Sequence, residues 1–511
     1  MSVALGACSD KAQQAAEAGA LAEAYFQGGN LPEARRAIAE ALQHRDDIVD
    51  LHLLRGRIEF AAGDPQAAFA AYYNALALDP LNNEALQAVS QLGISTGNIA
   101  DAENATDRIL AISPADPNAL LVKGIISLAR RRFEEATQYA DQVLTARPDD
   151  EHARVLKARS LFLQGRRGEA LAVVGGASGE GPITESVAMT RLEIFRQTGD
   201  AAGMQREFTR LRNLRPSDSA LRIDEANFLF KRGQPQQASA LVVRTLNQTD
   251  EENAQGNVTT AAIARQVVDL WQQYGHDGMA PADWRSVAQT APLAAREIVA
   301  RYLVNARAME AAQEMIGSLE GATQEALTAR LQIARGDTQA GLAAAAAVLQ
   351  RDATQCDALI ATSEAQLALG GVKRAVQAGQ QAVAECPDRP EAYLAAAFAY
   401  DAFERPAGAD RIFGDAVKAN PQSVELASAY SRWLIAKGRE REAVAILRRY
   451  TRNTPASLRG WQLYGDLCRR TDRACAREAK VGRSRAASIY GVDLPPGQLR
   501  PNGLFGRFIE R

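Results

Sequence analysis

The chain has 511 residues, and its 59 lysines and arginines stand against 61 aspartates and glutamates, giving a formal net charge of −2. Over most of its length no basic stripe stands out, which argues against a nucleic-acid-binding surface. The four histidines form no His-x-x-x-His pair and the cysteines form no Cys-x-x-Cys pair. The sequence therefore predicts no metal site, no cofactor and no catalytic centre.

The N-terminal segment 1–14 contains a cysteine that follows small residues. The run Leu5-Gly6-Ala7-Cys8 resembles the lipobox of bacterial lipoproteins, in which a signal peptidase cleaves before a cysteine that becomes diacylated. Seven residues precede Cys8, so we interpret 1–14 as a truncated signal-like segment and a polar tether. The resemblance implies lipidation of Cys8, and the alternative is a free cysteine in a frayed terminus.

A period of 34 residues runs through the next part of the chain, 15–252. It is marked by evenly spaced prolines: Pro80, Pro114, Pro148, Pro182 and Pro216. Small residues fill the eighth and twentieth positions of most blocks, where two antiparallel helices could approach closely. A glycine near position fifteen is suited to end the first helix in a left-handed cap, and the proline ends the second helix. Seven blocks fit without an insertion: 15–48, 49–82, 83–116, 117–150, 151–184, 185–218 and 219–252.

This pattern resembles the tetratricopeptide repeat, whose signature has small residues at positions eight and twenty and proline at position thirty-two. The block 49–82 matches it most closely, with Gly56, Ala68 and Pro80. The resemblance implies an all-α fold, a right-handed α-solenoid of helix hairpins with about 12–13 repeats and an irregular helical joint. It also implies protein or peptide partners rather than a small-molecule substrate.

The same resemblance implies a binding surface, since positions two, five, nine, twelve and thirteen face the concave side in this family. The predicted peptide-binding groove contains Phe26, Leu53, Phe60, Leu121, Leu128, Val155, Phe162, Arg196, Asn227 and Phe230. An apolar groove for a peptide or helix is one interpretation, and core packing of about half of these residues is the other. Position five holds no lysine in these blocks, so the carboxylate clamp of chaperone-binding members is not predicted.

Residues 253–321 break the period. Residues 258–275 predict a helix that includes Trp271 and Tyr274, residues 275–278 predict a turn, and Pro281 begins a capped helix. Residues 292–321 look like a shortened repeat. We interpret 253–321 as an irregular helical joint, either a bend in one solenoid or a boundary between two lobes.

The period returns in a C-terminal array, 322–491, with Pro387, Pro421 and Pro455 at repeat ends. Its last block is rich in arginine, which we interpret as a solvated helix that caps the stack. The tail 492–511 is rich in Pro and Gly and is predicted to be flexible.

Four of the five cysteines lie in this array. Cys356 and Cys386 occupy positions one and thirty-one of one block, which share the same open end of a hairpin, and Cys468 and Cys475 flank the last turn. Two disulfides and one acylated Cys8 would account for all five and would place the protein in an oxidising compartment. The alternative is four idle thiols in a cytosolic protein.

These observations favour a non-enzymatic scaffold for protein–protein interaction. The resemblance to repeat lipoproteins suggests a lipid-anchored, periplasm-facing protein of the bacterial envelope, attached to the membrane through a lipid at most. It would organise a secretion, exopolysaccharide-export or exosortase-type assembly, by fold-level analogy. The alternative is a soluble cytoplasmic adaptor or regulator that binds a peptide segment of a partner.

Overall fold

The computed structural model describes residues 3–175, 184–255 and 259–488, and these residues form 29 α-helices and no β-strand. The chain divides into two compact units, Met1–Ile194 and Phe195–Leu499. The all-α class and the solenoid of tetratricopeptide-like hairpins that the sequence predicts are confirmed. The predicted flexible tail, 492–511, lies outside the described residues.

Eleven helices begin in the first unit, and the last of them crosses the boundary between the units. They are α1 (Val3–Gln27), α2 (Leu31–His44), α3 (Val49–Ala61), α4 (Pro65–Leu78), α5 (Asn83–Ser95), α6 (Ile99–Ile112), α7 (Pro117–Ala129), α8 (Phe133–Ala146), α9 (Glu151–Leu163), α10 (Arg167–Val173) and α11 (Glu185–Thr198).

The described helices that begin in the second unit number eighteen. They are α12 (Ala201–Leu214), α13 (Ser219–Lys231), α14 (Pro235–Leu246), α15 (Asp250–Gln255), α16 (Thr260–Tyr274), α17 (Pro281–Thr290), α18 (Leu293–Asn305), α19 (Met309–Gly317), α20 (Gly321–Arg335), α21 (Thr338–Leu349), α22 (Cys356–Ala368), α23 (Val372–Glu385), α24 (Pro390–Ala402), α25 (Pro406–Ala419), α26 (Val424–Ala436), α27 (Glu440–Asn453), α28 (Leu458–Thr471) and α29 (Arg473–Ser488).

Small residues at the helix crossings let the two helices of each hairpin pack closely. Ala68, at position twenty of the second block, is fully buried in the crossing of α3 and α4. A Cβ added to Gly56, at position eight, would lie only 2.6 Å from the ring of Tyr72. A larger side chain at either position would therefore push the hairpin apart.

The turn within each hairpin needs a left-handed backbone. Gly63 ends the first helix of its repeat with φ of +76°, and the glycines at the same position of other blocks do likewise. Arg131 takes this conformation in the fourth block, with φ of +61°. A side chain in this region is strained, so the turn geometry is imposed by the packing of α7 on α8.

The acidic and amide residues at repeat junctions cap the helices that follow them. The carboxylates of Asp116 and Asp150 accept hydrogen bonds of 2.8 and 2.9 Å from the backbone N–H groups of Ala119 and Ala153. Such a cap satisfies one of the free N–H groups in the first turn and typically contributes about 1 kcal/mol.

The irregular span 253–321 is helical in its described part. Helix α15 covers Asp250–Gln255, at the start of this span. Helix α16 packs on α18 and α17 packs on α19, so these helices continue the stack toward α20. The fully buried indole of Trp271 lies between Trp284 and Tyr302, with ring centroids 5.3 Å from each.

Helix α1 starts at Val3, so the segment expected as a tether continues directly into the first repeat. Its alanines Ala15 and Ala18 are buried against α2 and α3. The side chain of Cys8 lies outside the described residues. Among the described helices, none combines the length and apolar character needed to cross a membrane.

Candidate functional site

In the first unit, the predicted groove residues divide between core and surface. Leu53, Leu128 and Val155 are buried. Three others are half-buried and pack on core clusters: Phe26, Leu121 and Phe162. Phe60 is 58 % exposed, and it is therefore the groove residue of this unit with the most surface to offer a partner.

A salt bridge lies on the same helix as Phe60. The guanidinium of Arg57, one turn before Phe60 on α3, donates to Glu84 at the start of α5, with an Nε–Oε1 distance of 2.7 Å. The hydrogen bond with Glu84 raises the pKa of Arg57, against a smaller opposing effect of burial. The helix face near Phe60 is therefore apolar at one point and charged beside it.

The three predicted groove residues of the second unit are engaged with neighbouring side chains. Arg196 forms a 3.2 Å ion pair with Asp224. Asn227 is buried and accepts a 2.8 Å hydrogen bond from the hydroxyl of Tyr274, and Phe230 stacks on the same tyrosine with ring centroids 5.2 Å apart. The ion pair connects α11 with α13, and the two contacts of Tyr274 connect α13 with α16.

A large cavity with charged walls lies inside the second unit, and we call it the lumen. Its volume is about 1020 Å³, and its walls come from the first helices of several hairpins, α16, α18, α26 and α28, with the start of α24 and the loop before α26. Helix α16 also contacts α26 and α28, which lie far along the chain. The stack in this unit therefore returns on itself and encloses the space.

Three arginines lining the lumen have no hydrogen bond or ion pair within the described part of the chain: Arg265 on α16, Arg432 on α26 and Arg459 on α28. The side chains of all three arginines are exposed to solvent. Guanidinium groups stay charged at any pH at which the protein is folded. The lumen thus contains three guanidinium groups that form no ion pair with a described side chain.

Two carboxyl groups of the lumen are equally without a described partner. Burial, and after it the repulsion from Glu391, raises the pKa of Glu425 to about 7, although Arg330 and Arg432 act in the opposite direction. The carboxyl of Asp269 reaches the water of the lumen but is surrounded by protein, and burial raises its pKa to about 6. Both groups therefore take up protons near neutral pH.

One wall of the lumen is held by a buried ionic network centred on Asp357. Its carboxylate is fully buried and accepts from Arg301 and Arg389 at 2.9 and 2.8 Å, with Arg330 at 3.6 Å. Burial alone would raise the pKa of Asp357, but the three guanidinium groups hold it well below its usual range. The network connects α18, α20 and α22 with the residue before α24.

Glu391 extends this network to the lumen surface. It accepts from Asn305 Nδ2 at 2.7 Å and from Arg389 Nε at 3.2 Å. Burial acts to raise the pKa of Glu391, but Arg389 and Arg330 lower it overall. Glu391 is therefore a satisfied anion, in contrast to Glu425 on the next first helix.

A lysine joins the beginning of the second unit to its end. Lys231 Nζ, at the C-terminus of α13, donates to the backbone oxygens of Ala456 and Ala486 at 3.0 and 3.1 Å. Ala456 precedes α28 and Ala486 lies in α29. We call this contact the latch, because it connects the first and last described hairpins of the unit.

The structure brings the paired cysteines within disulfide distance. The Cα atoms of Cys356 and Cys386 lie 6.1 Å apart, and those of Cys468 and Cys475 lie 5.2 Å apart. Both values fall in the range that a disulfide spans, about 4.4–6.8 Å. The pairing that the sequence suggests is therefore sterically allowed.

The sequence did not predict the lumen, because the positions that face the concave side in this family were considered only in the N-terminal array. In the C-terminal blocks, Glu391, Glu425 and Arg459 stand at position two and Arg432 at position nine. The same rule would have found them. Arg265 and Asp269 lie in 253–321, where no register was available. Within the described residues, no group of three or more potential ligands could hold a metal ion.

The chain matches family models in its N-terminal part. One tetratricopeptide-repeat model matches residues 20–83 and 128–182, and a second matches residues 59–125. No curated protein matches the chain significantly in sequence.

Several solved structures are similar to parts of this chain. The type IV pilus biogenesis factor PilW is 23 % identical, with a TM-score of 0.33 over 40 % of this chain and 94 % of its own. PilF of Pseudomonas aeruginosa is 17 % identical, with a TM-score of 0.31 over 41 % and 95 %. A thermophilic TPR protein of Thermus thermophilus is 19 % identical, with a TM-score of 0.32 over 36 % and 99 %.

Proposed function

We propose that this chain, which is a tetratricopeptide-repeat protein, acts as a non-enzymatic scaffold that binds a segment of a partner protein. The observation that carries the proposal is the lumen, a cavity of about 1020 Å³ walled by the first helices of the hairpins and lined by charged side chains without a described partner. A polar group left unpaired in such a space is stabilised by a ligand that pairs with it. Hairpin arrays of this kind bind extended or helical segments along such walls.

The predicted groove of the first unit is proposed as a second contact surface. Phe60 offers an exposed ring, and Phe162 presents part of its ring beside the core of α9 and α10. The buried members of the groove, such as Leu53 and Val155, would support these rings rather than meet a partner. The proposal therefore assigns the contact in this unit chiefly to Phe60.

We further propose that the protein is lipid-anchored at Cys8, faces an oxidising compartment of the cell envelope, and organises a secretion, exopolysaccharide-export or exosortase-type assembly there. The run Leu5–Cys8 supports the anchor. The two cysteine pairs within disulfide distance support the compartment. A soluble cytoplasmic adaptor is the alternative, in which Cys8 is unmodified and the four other cysteines are thiols.

Capture of partners by the tagged full-length chain in its native host tests the scaffold function. The substitution Phe60→Asp should remove a partner that uses the groove. Leu81→Asp is the matched control, since Leu81 is also exposed but follows the second helix of its repeat. Unchanged capture by the Phe60 variant with its helical content intact would place the contact elsewhere.

Fractionation of the host tests the location. The wild-type chain is expected in the membrane fraction, and Cys8→Ala should release it into the soluble periplasmic fraction because the acyl chains are lost. Recovery of the wild-type chain in the cytosol would reject the anchor and favour the adaptor.

A further inference from the structure

We propose that the lumen of the second unit binds an acidic, extended segment of a partner protein, with Arg265, Arg432 and Arg459 as the residues that select its negative charge. This inference rests on the proposed scaffold function and names the chemistry of the ligand for one of its surfaces. The three arginines lie on three helices that meet around one space: α26 and α28 belong to neighbouring repeats, and α16 lies far from them along the chain.

The charge balance of the lumen favours an anion. Arg265, Arg432 and Arg459 form no ion pair within the described residues, and they cannot lose their protons. Three like charges around one cavity repel each other, and a carboxylate ligand would relieve this repulsion and form charge-assisted hydrogen bonds. Arg301 and Arg389 line the same cavity, but they are already neutralised by Asp357 and Glu391.

The cationic side chains of the lumen lining outnumber its acidic ones. The cationic residues are Arg265, Arg301, Arg389, Lys418, Arg432 and Arg459, and the acidic residues are Asp269, Asp388, Glu391 and Glu425. Glu391 is paired with Arg389 and Asn305. Glu425 and Asp269 have raised pKa values of about 7 and about 6, so each is partly protonated at a pH near its own value. A cationic ligand would thus meet partly neutral carboxyls and three permanent positive charges.

The lining also indicates a peptide rather than a nucleic acid. Apolar side chains alternate with the charged ones, among them Val268, Ile298 and Leu463. Single-stranded nucleic acids need free aromatic rings on which their bases stack. Tyr302 is the aromatic residue of the lumen wall, and its ring is already stacked on Trp271 while its hydroxyl lies 2.9 Å from His276 Nδ1.

Glu425 makes the site pH-dependent. The charged and titratable groups around it are Glu391 on α24, Arg330 on α20, Arg432 on its own helix and Tyr302 on α18. An anion bound beside Glu425 favours its protonated form. Binding therefore takes up a proton, and an acidic ligand should bind more tightly as the pH falls from about 8 to about 6.

The test uses the full chain and a fluorescent decapeptide of alternating Glu and Ala, measured by anisotropy at pH 6 and pH 8. We expect binding at both values that is several-fold tighter at pH 6. The double variant Arg432→Gln/Arg459→Gln should weaken it at least tenfold. The matched control, Arg441→Gln/Arg449→Gln, removes the same charge from exposed sites on α27 outside the lumen and should bind like the wild type.

The variant Glu425→Gln separates the protonation of Glu425 from the contribution of the arginines. Because its side chain is neutral at every pH, this variant should bind the acidic peptide at pH 8 as tightly as the wild type does at pH 6. Circular dichroism verifies that each variant is folded. Failure of the acidic peptide to bind, equal binding by the lumen and control variants, or tighter binding of the Lys–Ala counterpart would overturn the inference. Tighter, arginine-dependent binding of a ten-residue oligothymidine would overturn it in favour of nucleic acid.

Partner capture distinguishes this inference from the scaffold function. If the host partner is captured but the acidic peptide does not bind in the lumen, the scaffold function stands and the ligand assignment fails. If the acidic peptide binds in the lumen but no protein partner is captured, the scaffold function fails and the site remains an anion site.

Discussion

At the residue scale, Arg131 occupies a backbone conformation that glycine holds in neighbouring repeats. Its φ of +61° is left-handed, and its side chain is exposed. The substitution Arg131→Gly should stabilise the α7–α8 hairpin by about 1 kcal/mol, because the penalty for a side chain in this region is about 1–2 kcal/mol and the extra freedom of glycine offsets part of it. Amide hydrogen exchange of residues 117–146 should slow severalfold.

The reverse substitution tests the same physics. Gly97→Ala places a side chain at φ of +80°, where nothing lies within 4 Å of the new Cβ, so any loss comes from the backbone alone. Exchange in α5 and α6 should then become faster. Equal exchange in both variants and the wild type would show that the turn conformation carries no strain.

Asp357 is the residue whose loss should cost most in the second unit. Replacing it by Asn leaves Arg301, Arg330 and Arg389 facing one another without their shared anion, and breaking a buried ion pair in this way typically costs about 3–5 kcal/mol. All four tryptophans lie in this unit, so denaturation followed by tryptophan fluorescence reports the change. Asp388→Asn, an exposed neighbour, should stay within about 0.5 kcal/mol of the wild type.

The pH dependence of this contribution has a definite sign. Because the folded-state pKa of Asp357 is depressed, its stabilisation is complete above the unfolded pKa of about 3.9 and is lost as the pH falls through the folded value. The wild type and Asp357→Asn should therefore differ at neutral pH and converge below a pH of about 3.9. A constant difference across that range would mean that another group carries the effect.

At the scale of elements, the latch predicts a local change in the last hairpin. In Lys231→Met the backbone oxygens of Ala456 and Ala486 lose their donor, which typically costs about 1–3 kcal/mol. Hydrogen exchange in α28 and α29 should accelerate while α22 and α23 stay unchanged. Lys437→Met, which removes a lysine paired with Asp401 at the repeat surface, should leave α28 and α29 as in the wild type.

The helices and their pairing could be predicted from the sequence, because each signal is local. Gly63 marks a turn, Ala68 marks a crossing, and Pro80 marks a repeat end, and all three lie within one block. The lumen could not be predicted in this way. Arg265 and Arg432 line the same cavity although they are 167 residues apart in the sequence. Their proximity in space depends on the small rotations between successive repeats, which add up over five hairpins.

Exposure of the groove residues could not be predicted from the repeat period either. A period of 34 residues identifies the helix face of a residue, but it does not show how closely the next hairpin covers that face. Phe60 and Phe26 occupy the same position of successive blocks, yet Phe60 is exposed and Phe26 is half-buried. Exposure within the groove thus follows from neighbouring repeats, which are not periodic in their side-chain volumes.

At the scale of the whole molecule, the cysteines are unevenly distributed. The four that lie within disulfide distance of a partner, Cys356 with Cys386 and Cys468 with Cys475, are in the second unit. A disulfide with a sequence separation of 30 restricts the unfolded chain by about 3–4 kcal/mol in the chain-entropy model, and one with a separation of 7 by about 2–3 kcal/mol. In an array stabilised by neighbour contacts, such a restriction acts on the repeats that contain it.

Reduction should therefore destabilise one unit selectively. We expect the tryptophan-detected thermal transition, which reports the second unit, to fall by several degrees in reductant. Unfolding of the first unit, followed by hydrogen exchange of residues 11–175, should not change. A variant with serine at all four paired cysteines should melt like the reduced wild type and lose the response to reductant. Four reactive thiols in the unreduced, denatured wild type would contradict the pairing, since two disulfides and an acylated Cys8 leave no free thiol there, and would remove the physical basis for an oxidising compartment.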